Sequence, residues 1–352
     1  MAAPRNTARF AHQLREIMSE KDLARLQTIE RLKAKYVSEK RDALMEDAIR
    51  FLIETIVMGG EARAIVVAAL SREGKTRMIM HALAKFPMFE GFDHPGSQSP
   101  VVMIKTPSPC GLKELGYATI ERLGYPLVAD RTKDVVWRMA RAKIDMTEKA
   151  ILFYDEIHNI TEQAGTKNAV ELRDLLKTFL NDPQRPVCLI LSGLPSIKDF
   201  LELDDEERAR CRFIGIEPLT TNDIDDIGDI IEDYAKDAGL RAPSDMRTDL
   251  VPVHLHASLY RTGLAIEMII DAINEALKAG ANQLTRREHF ADMFTGRTGN
   301  APSANPYLVA NWHEIDCSRV LLKGDERDRH PPSSSNKTRR RRSRKKPKDR
   351  ED

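Results

Sequence analysis

The stretch Ala64-Ile65-Val66-Val67-Ala68-Ala69-Leu70-Ser71-Arg72-Glu73-Gly74-Lys75-Thr76 decides how this chain reads. It begins with seven apolar residues, the signature of a short strand buried on both faces. A tight loop follows, and Gly74-Lys75-Thr76 opens a helix. A helix N-terminus offers unpaired backbone N–H groups and the positive end of the helix dipole, which suits the concentrated negative charge of a nucleoside triphosphate. Gly74 lets the backbone come close, Lys75 can reach the β- and γ-phosphates, and Thr76 can ligate magnesium. Two residues depart from the usual pattern. Ala69 stands where a glycine normally opens the loop, and alanine in a left-handed conformation is strained. Glu73 is unfriendly to phosphate unless its side chain points outward.

About eighty residues on, Ala150-Ile151-Leu152-Phe153-Tyr154-Asp155-Glu156 reads as a second buried strand, ending in two adjacent acids. Asp155 is placed to hold magnesium or its water shell, and Glu156 to orient and deprotonate an attacking water. Taken together, the two segments are the phosphate-binding and magnesium-binding halves of a P-loop ATPase, with ATP and Mg2+ as the implied cofactors.

Around them, short apolar runs alternate with helical periodicity. Strands are expected at 64–70, 100–106, 150–155, 186–191 and 213–216, and helices near 7–35, 43–58, 75–85, 111–123, 131–147 and 168–181. After Pro218 the pattern is helical throughout, near 221–238, 245–257 with a break at Pro252, 263–279 and 285–295. The fold class is therefore α/β: a parallel sheet with flanking helices, then a small all-helical lid domain and a disordered basic tail. The expected divisions are an N-terminal helical extension (1–40), a nucleotide-binding domain (41–219), a lid (220–298), a C-terminal segment (299–324) and the tail (325–352).

Composition bounds the function. Hydrophobic residues make up 41% and charged residues 31% of the 352, enough apolar sequence for a core. No apolar run approaches the roughly 20 residues of a membrane helix. The four cysteines are far apart and form no Cys-x-x-Cys pair, so neither a zinc site nor a disulfide framework is expected, and a cytoplasmic setting is the simplest reading. The net charge of +1 hides an asymmetry: residues 331–352 hold ten Lys/Arg and three Asp/Glu, leaving the body mildly acidic. Arg339, Arg340, Arg341 and Arg342 head that basic run, which can neutralise nucleic-acid phosphates without reading sequence, serve as an import signal, or dock an acidic protein.

Further candidates come from strand ends. Ser192 closes the fourth strand, where a polar side chain would face the γ-phosphate or the water, or simply make a turn. Arg208, Arg210 and Arg212 precede the fifth strand. An arginine here can project into a neighbouring subunit's nucleotide; Arg212 is favoured, with Arg210 the alternative. His158 is expected to pack or to make an indirect contact rather than to shuttle protons. His254 and His256, two apart, would not share a helical face.

Gly-Lys-Thr, Tyr-Asp-Glu-Ile-His-Asn, Leu-Ser-Gly-Leu-Pro and Arg-Phe occur in the order of an AAA+ ATPase. More narrowly, Ile-Lys-Thr-Pro-Ser-Pro (104–109), Asp-Glu-Ile-His-Asn (155–159), the run from His256 to Glu267, and Asn305-Pro-Tyr-Leu308 with Trp312 resemble the TniB family of transposition ATPases, relatives of TnsC and, more distantly, MuB. The resemblance spans roughly residues 30 to 320. It implies a homo-oligomer, ring or filament, that assembles on double-stranded target DNA with ATP and activates a DDE-type transposase. Hydrolysis then controls assembly, and a target-selection factor is a further candidate partner. It places nucleotide contacts on Gly74, Lys75, Thr76, Asp155 and Glu156, a sensor on Ser192 and an arginine finger on Arg212. Lids of such proteins often carry an arginine near Gly263; Arg261 is the nearest substitute. DNA contacts in related ATPases come from loops near the end of the second strand, which points to Lys105, Thr106 and Lys113. The segment 299–324 is a partner-docking candidate by resemblance alone. The alternatives are a helicase-loader-like or secretion-associated ATPase, or an ATP-gated structural adaptor.

Overall fold

Each apolar run becomes a strand of one parallel sheet. The computed structural model describes residues 5–182, 184–201 and 205–321. Among these, β1 (Ala64–Ala68), β2 (Val101–Lys105), β3 (Ile151–Asp155), β4 (Cys188–Gly193) and β5 (Cys211–Gly215) lie in the order β2-β3-β4-β1-β5, every pair parallel. Residues of β1, β3 and β4 are buried throughout, whereas the edge strands β2 and β5 are partly exposed. A strand covered on both faces must be apolar along its whole length, which is why the three inner runs show no alternation. The order has a functional consequence. β4 lies between β1 and β3, so the loop after β1, the acids after β3 and the end of β4 open at one edge of the sheet, where α/β folds bind their ligands.

Three helices precede the sheet: α1 (Arg5–Glu16), α2 (Glu20–Ala34) and α3 (Arg41–Val57). Between strands come α4 (Lys75–Ala84), α5 (Leu112–Arg122), α6 (Lys133–Met146), α7 (His158–Leu180), α8 (Ser196–Leu201) and α9 (Asp205–Arg210). The sequence reading starts the helix after β3 near residue 168, but α7 begins at His158. The chain turns directly from β3 into the helix through Glu156, whose φ is +56°. Helices α8 and α9 were not expected. Each is six residues long and too short for a periodicity to show.

After β5 come α10 (Ile224–Asp237), α11 (Met246–Asp249), α12 (Val251–Ala257), α13 (Thr262–Ala279) and α14 (Ala291–Thr298). The break expected at Pro252 falls between α11 and α12, with the proline in the first turn of α12, where its missing N–H does no harm. From Gly299 the pattern fades in the sequence, yet the chain stays packed: Asn305, Tyr307, Cys317 and Val320 are buried. Tyr307 is anchored on His254, whose Nε2–H donates to the Ala265 carbonyl at 3.1 Å, leaving Nδ1 to accept from the Tyr307 hydroxyl at 2.8 Å. Burial pushes His254 down to about 4, so the ring is neutral and structural. Packing divides the chain into Met1–Val320, which holds every element above, and Leu321–Asp352. Among the described residues no helix is long and apolar enough to cross a membrane.

Candidate functional site

The loop after β1 is held from outside as much as from within. Gly74 caps α4 with a φ of +84°, a conformation open to glycine. Lys75 is 4% exposed, and its Nζ donates to the carbonyls of Ala69 at 3.1 Å and Leu70 at 2.9 Å. The strain expected at Ala69 is not there, because Ala69 keeps an ordinary φ and Arg72 takes the left-handed turn at +65°. Arg72 has support for it. Its carbonyl accepts from Leu264 N at 3.0 Å, and its Nη1 meets Glu267 at 2.7 Å, which Arg297 also holds at 2.9 Å. The carbonyls on either side are held too: Ser71 O accepts from Arg261 Nη1, and Glu73 O from Arg41 Nη2, each at 3.0 Å. Three successive loop carbonyls are thus engaged by α13, its preceding arginine and α3. A Cβ on Gly263 would lie 2.4 Å from the Arg72 carbonyl, so the helix start can approach only as glycine.

Glu73 is turned toward α13 rather than into solvent. It is 1% exposed, and its Oε2 accepts from Thr262 N at 3.2 Å, capping α13. Burial pushes its carboxyl up to about 7, against the pull of the Thr262 N–H and of Arg41, Arg261 and Lys75. A carboxyl with a raised folded-state pKa binds more protons folded than unfolded, so its stability contribution is full below 4.5 and is lost as pH rises through about 7. Glu73→Gln should therefore be more stable than wild type at pH 8, by up to about 2–3 kcal/mol, with little difference at pH 4.5. Denaturant midpoints at the two pH values check this; equal differences at both would contradict it.

Opposite the loop, Thr76 Oγ1 lies 3.0 and 2.9 Å from the two carboxylate oxygens of Asp155, itself 3% exposed. Val67 pairs in register with Ser192, which brings that residue beside the loop. Ser192 is fully buried, and its hydroxyl has no hydrogen-bond partner among the described residues. Thr106 Oγ1, 2% exposed, is in the same condition on the far side of β3. A buried hydroxyl without a partner costs about 1–3 kcal/mol, so such groups mark a place where something polar belongs. Hard oxygen donors around a buried carboxylate suit magnesium, and the residues present fit that ion.

A cavity of about 360 Å³ opens beside Gly74, between Tyr36 and Arg41 on one side and Gly263 and Ile266 on the other. Tyr36 stacks on His81 with ring centroids 3.8 Å apart and donates its hydroxyl to Asp42 at 2.6 Å. The sequence reading missed these lining residues. Nothing in the local pattern around Tyr36 ties it to a loop nearly forty residues on.

The other candidates fall as follows. Arg212 is exposed on β5. Arg210, the alternative, is engaged within the chain by Glu61 at 3.3 Å and by Asn181. Arg261, 6% exposed, is brought onto the loop backbone. Lys105 is exposed, and Lys113 is paired with Asp130 at 2.5 Å. Thr106 is buried, and its backbone N–H donates to the Asp155 carbonyl at 2.9 Å. Arg339, Arg340, Arg341 and Arg342 lie outside the described residues.

A sheet with β4 inserted between the loop strand and the acid strand, followed by helices that close on the loop, is the fold of an AAA+ ATPase. The family model for bacterial TniB protein matches residues 25–219, more than half of the chain and ending where the sheet gives way to helices. The chain belongs to the TniB family. Solved structures agree on the fold. The Aeropyrum pernix ORC1 protein, solved in complex with DNA, is similar at 16% identity and a TM-score of 0.56, over 74% of this chain and 66% of that one. Cdc6p from Pyrobaculum aerophilum is similar at 14% identity and a TM-score of 0.54, over 84% of this chain and 80% of that one. No curated protein matched the sequence.

Proposed function

We propose that this TniB-family chain is a magnesium-dependent ATPase that assembles as a homo-oligomer on double-stranded DNA and recruits and activates a DDE-type transposase, with hydrolysis controlling assembly. The observation that carries the reading is the Thr76 hydroxyl set against the Asp155 carboxylate, with Lys75 buried in the loop beside them. Lys75 would move from the loop carbonyls to the β- and γ-phosphates, and the amides at the start of α4 would bind the phosphate oxygens. Thr76 and Asp155 would hold magnesium, which when bound screens the phosphate charge. Glu156 would accept the proton of the attacking water, and Ser192 would bind the γ-phosphate or that water. The cavity at Gly74 would take the nucleoside, and Arg261 would report the loop's state to α13. A lid beginning near residue 220 fits this arrangement, because α13 is the element that grips the loop.

Arg212 supports action across subunits. It pairs in register with Ile65 near the start of β1, whereas the phosphate loop leaves the other end of that strand. The strand between them, at about 3.3 Å per residue, keeps it from its own nucleotide. Arg212→Ala should lower turnover by about a hundredfold or more while leaving nucleotide affinity of the monomer unchanged. Unchanged turnover would remove it as the finger.

The direct test of the DNA assignment is assembly. With magnesium and a slowly hydrolysed ATP analogue, negative-stain microscopy should show rings or filaments on double-stranded DNA and none without nucleotide. If DNA changes neither assembly nor turnover, the transposition reading falls and a helicase-loader-like ATPase or an ATP-gated adaptor takes its place.

A further inference from the structure

One cation of the cavity comes from a helix ahead of the sheet. Arg41 opens α3, yet it lines the cavity beside Gly74. A Cβ on Gly74 would lie 3.7 Å from Arg41 Nη2, so the guanidinium sits directly against the glycine that caps α4. Nη2 carries both hydrogen bonds of the side chain, to the Glu73 carbonyl at 3.0 Å and to Glu39 Oε1 at 2.5 Å. A guanidinium has five N–H donors, and these bonds use two of them. Nε is shut away from solvent and has no hydrogen-bond partner among the described residues. A buried donor left unpaired is costly, so it marks a place where an acceptor belongs.

The turn that carries Arg41 is fixed before any ligand arrives. Asp42 is buried and accepts from the Tyr36 hydroxyl at 2.6 Å and from Glu39 N at 2.8 Å, which closes residues 36–42 on themselves. Arg77 Nη2, on α4, donates to the Lys35 carbonyl at 2.7 Å and fastens the start of that turn to the helix behind the loop. The acidic partner of Arg41, Glu39, lines the same cavity. Burial pushes the Glu39 carboxyl up even with Arg41 beside it. A phosphate group, with oxygens matched to the guanidinium fork, is the stronger acceptor for that cation.

The cavity that would take the nucleoside and the loop that would take the β- and γ-phosphates meet at Gly74. The α-phosphate joins the two, which sets it beside Arg41. We propose, resting on the nucleotide site proposed above, that Arg41 is an α-phosphate ligand supplied by the helices ahead of the sheet: its unused N–H groups bind α-phosphate oxygens while Nη2 keeps the Glu73 carbonyl. The contact serves ATP and ADP alike, and it makes the turn at residues 36–42 part of the nucleotide site.

Three substitutions separate a phosphate ligand from a clamp on the loop. Arg41→Gln removes the charge. Arg41→Lys keeps the charge without the fork. Glu39→Gln removes the competing negative charge but leaves an acceptor for Arg41. Kd values for fluorescent ATP and ADP analogues are read with the full-length protein and magnesium at pH 8, at low and at high salt. Arg41→Gln should raise both Kd values by about ten- to a hundredfold, the contribution of one charge-assisted hydrogen bond, and by the same factor for each nucleotide. The defect should shrink as salt rises, because a contact between charges is screened. Arg41→Lys should fall between Gln and wild type. Glu39→Gln should bind severalfold more tightly than wild type, because a negative charge leaves the surroundings of the phosphate. A side chain that only clamps the loop gives a different pattern: Glu39→Gln no tighter than wild type, and an Arg41→Gln defect indifferent to salt. That pattern, or a loss confined to ATP, overturns the proposal. Lys75→Ala measured alongside separates the two claims. If it binds nucleotide as wild type does, the nucleotide site fails and the proposal with it. If it loses binding while Arg41→Gln keeps wild-type affinity, the proposal alone fails.

Discussion

Lys75→Ala is expected to abolish nucleotide binding and, with it, assembly on DNA. The lysine is the buried cation of the loop, and its Nζ already has two backbone carbonyls of that loop as partners. Moving from those carbonyls to phosphate oxygens exchanges neutral hydrogen bonds for charge-assisted ones, each about 1.5–3 kcal/mol. Losing two of them weakens binding by at least about a hundredfold. The fold should survive, because the sheet core does not depend on the Lys75 head group, so far-ultraviolet circular dichroism should stay near wild type. Titration with a fluorescent ATP analogue and sedimentation on DNA check the two losses. Full assembly in this variant would contradict the site.

The second large effect is expected at Glu156. Glu156→Gln keeps the side chain's size but cannot accept a proton. General-base catalysis contributes about a hundredfold to ten-thousandfold, so kcat should drop by at least about a hundredfold while nucleotide affinity holds. Because nucleotide stays bound, the variant should remain on DNA as ATP-bound oligomers long after wild type has dissociated. Rapid turnover in Glu156→Gln would refute the role. The pairing of this variant with Lys75→Ala is informative: one blocks assembly and the other prolongs it, although both lose turnover.

Much of the fold was legible because the inner strands of a parallel sheet must be apolar end to end. β1, β3 and β4 stand out as unbroken apolar runs, and the two chemical segments sit at the ends of two of them. What was not legible depends on contacts distant in sequence. The grip of Arg261, Thr262 and Leu264 on Ser71, Glu73 and Arg72 joins residues nearly two hundred apart, and no local pattern announces it. The usual loop pattern assigns strain to Ala69, but here α13 supports a left-handed Arg72 instead. Thr106, just past the end of β2, is buried against groups distant in sequence, and nothing local in Lys105-Thr106-Pro107 shows it. The buried segment around Tyr307 was lost for a similar reason: its partners, His254 and Phe290, lie in other helices, and its own short turns carry no period.

On the proposed function, the clamp on the loop gives a route from nucleotide to assembly. Glu267 joins Arg72 in the loop to Arg297 in α14, so a change in loop conformation on binding phosphate would be felt in that helix. That is the linkage an ATPase needs if nucleotide state is to set whether copies stay together.

The central claim, an ATPase whose turnover is coupled to DNA, is tested most directly by one measurement: phosphate release from ATP by the purified full-length protein with magnesium, with and without double-stranded DNA, and with Lys75→Ala as the blank. The account predicts turnover above the blank that changes severalfold when DNA is added. Turnover indistinguishable from the blank would contradict the ATPase, and turnover indifferent to DNA would contradict the coupling.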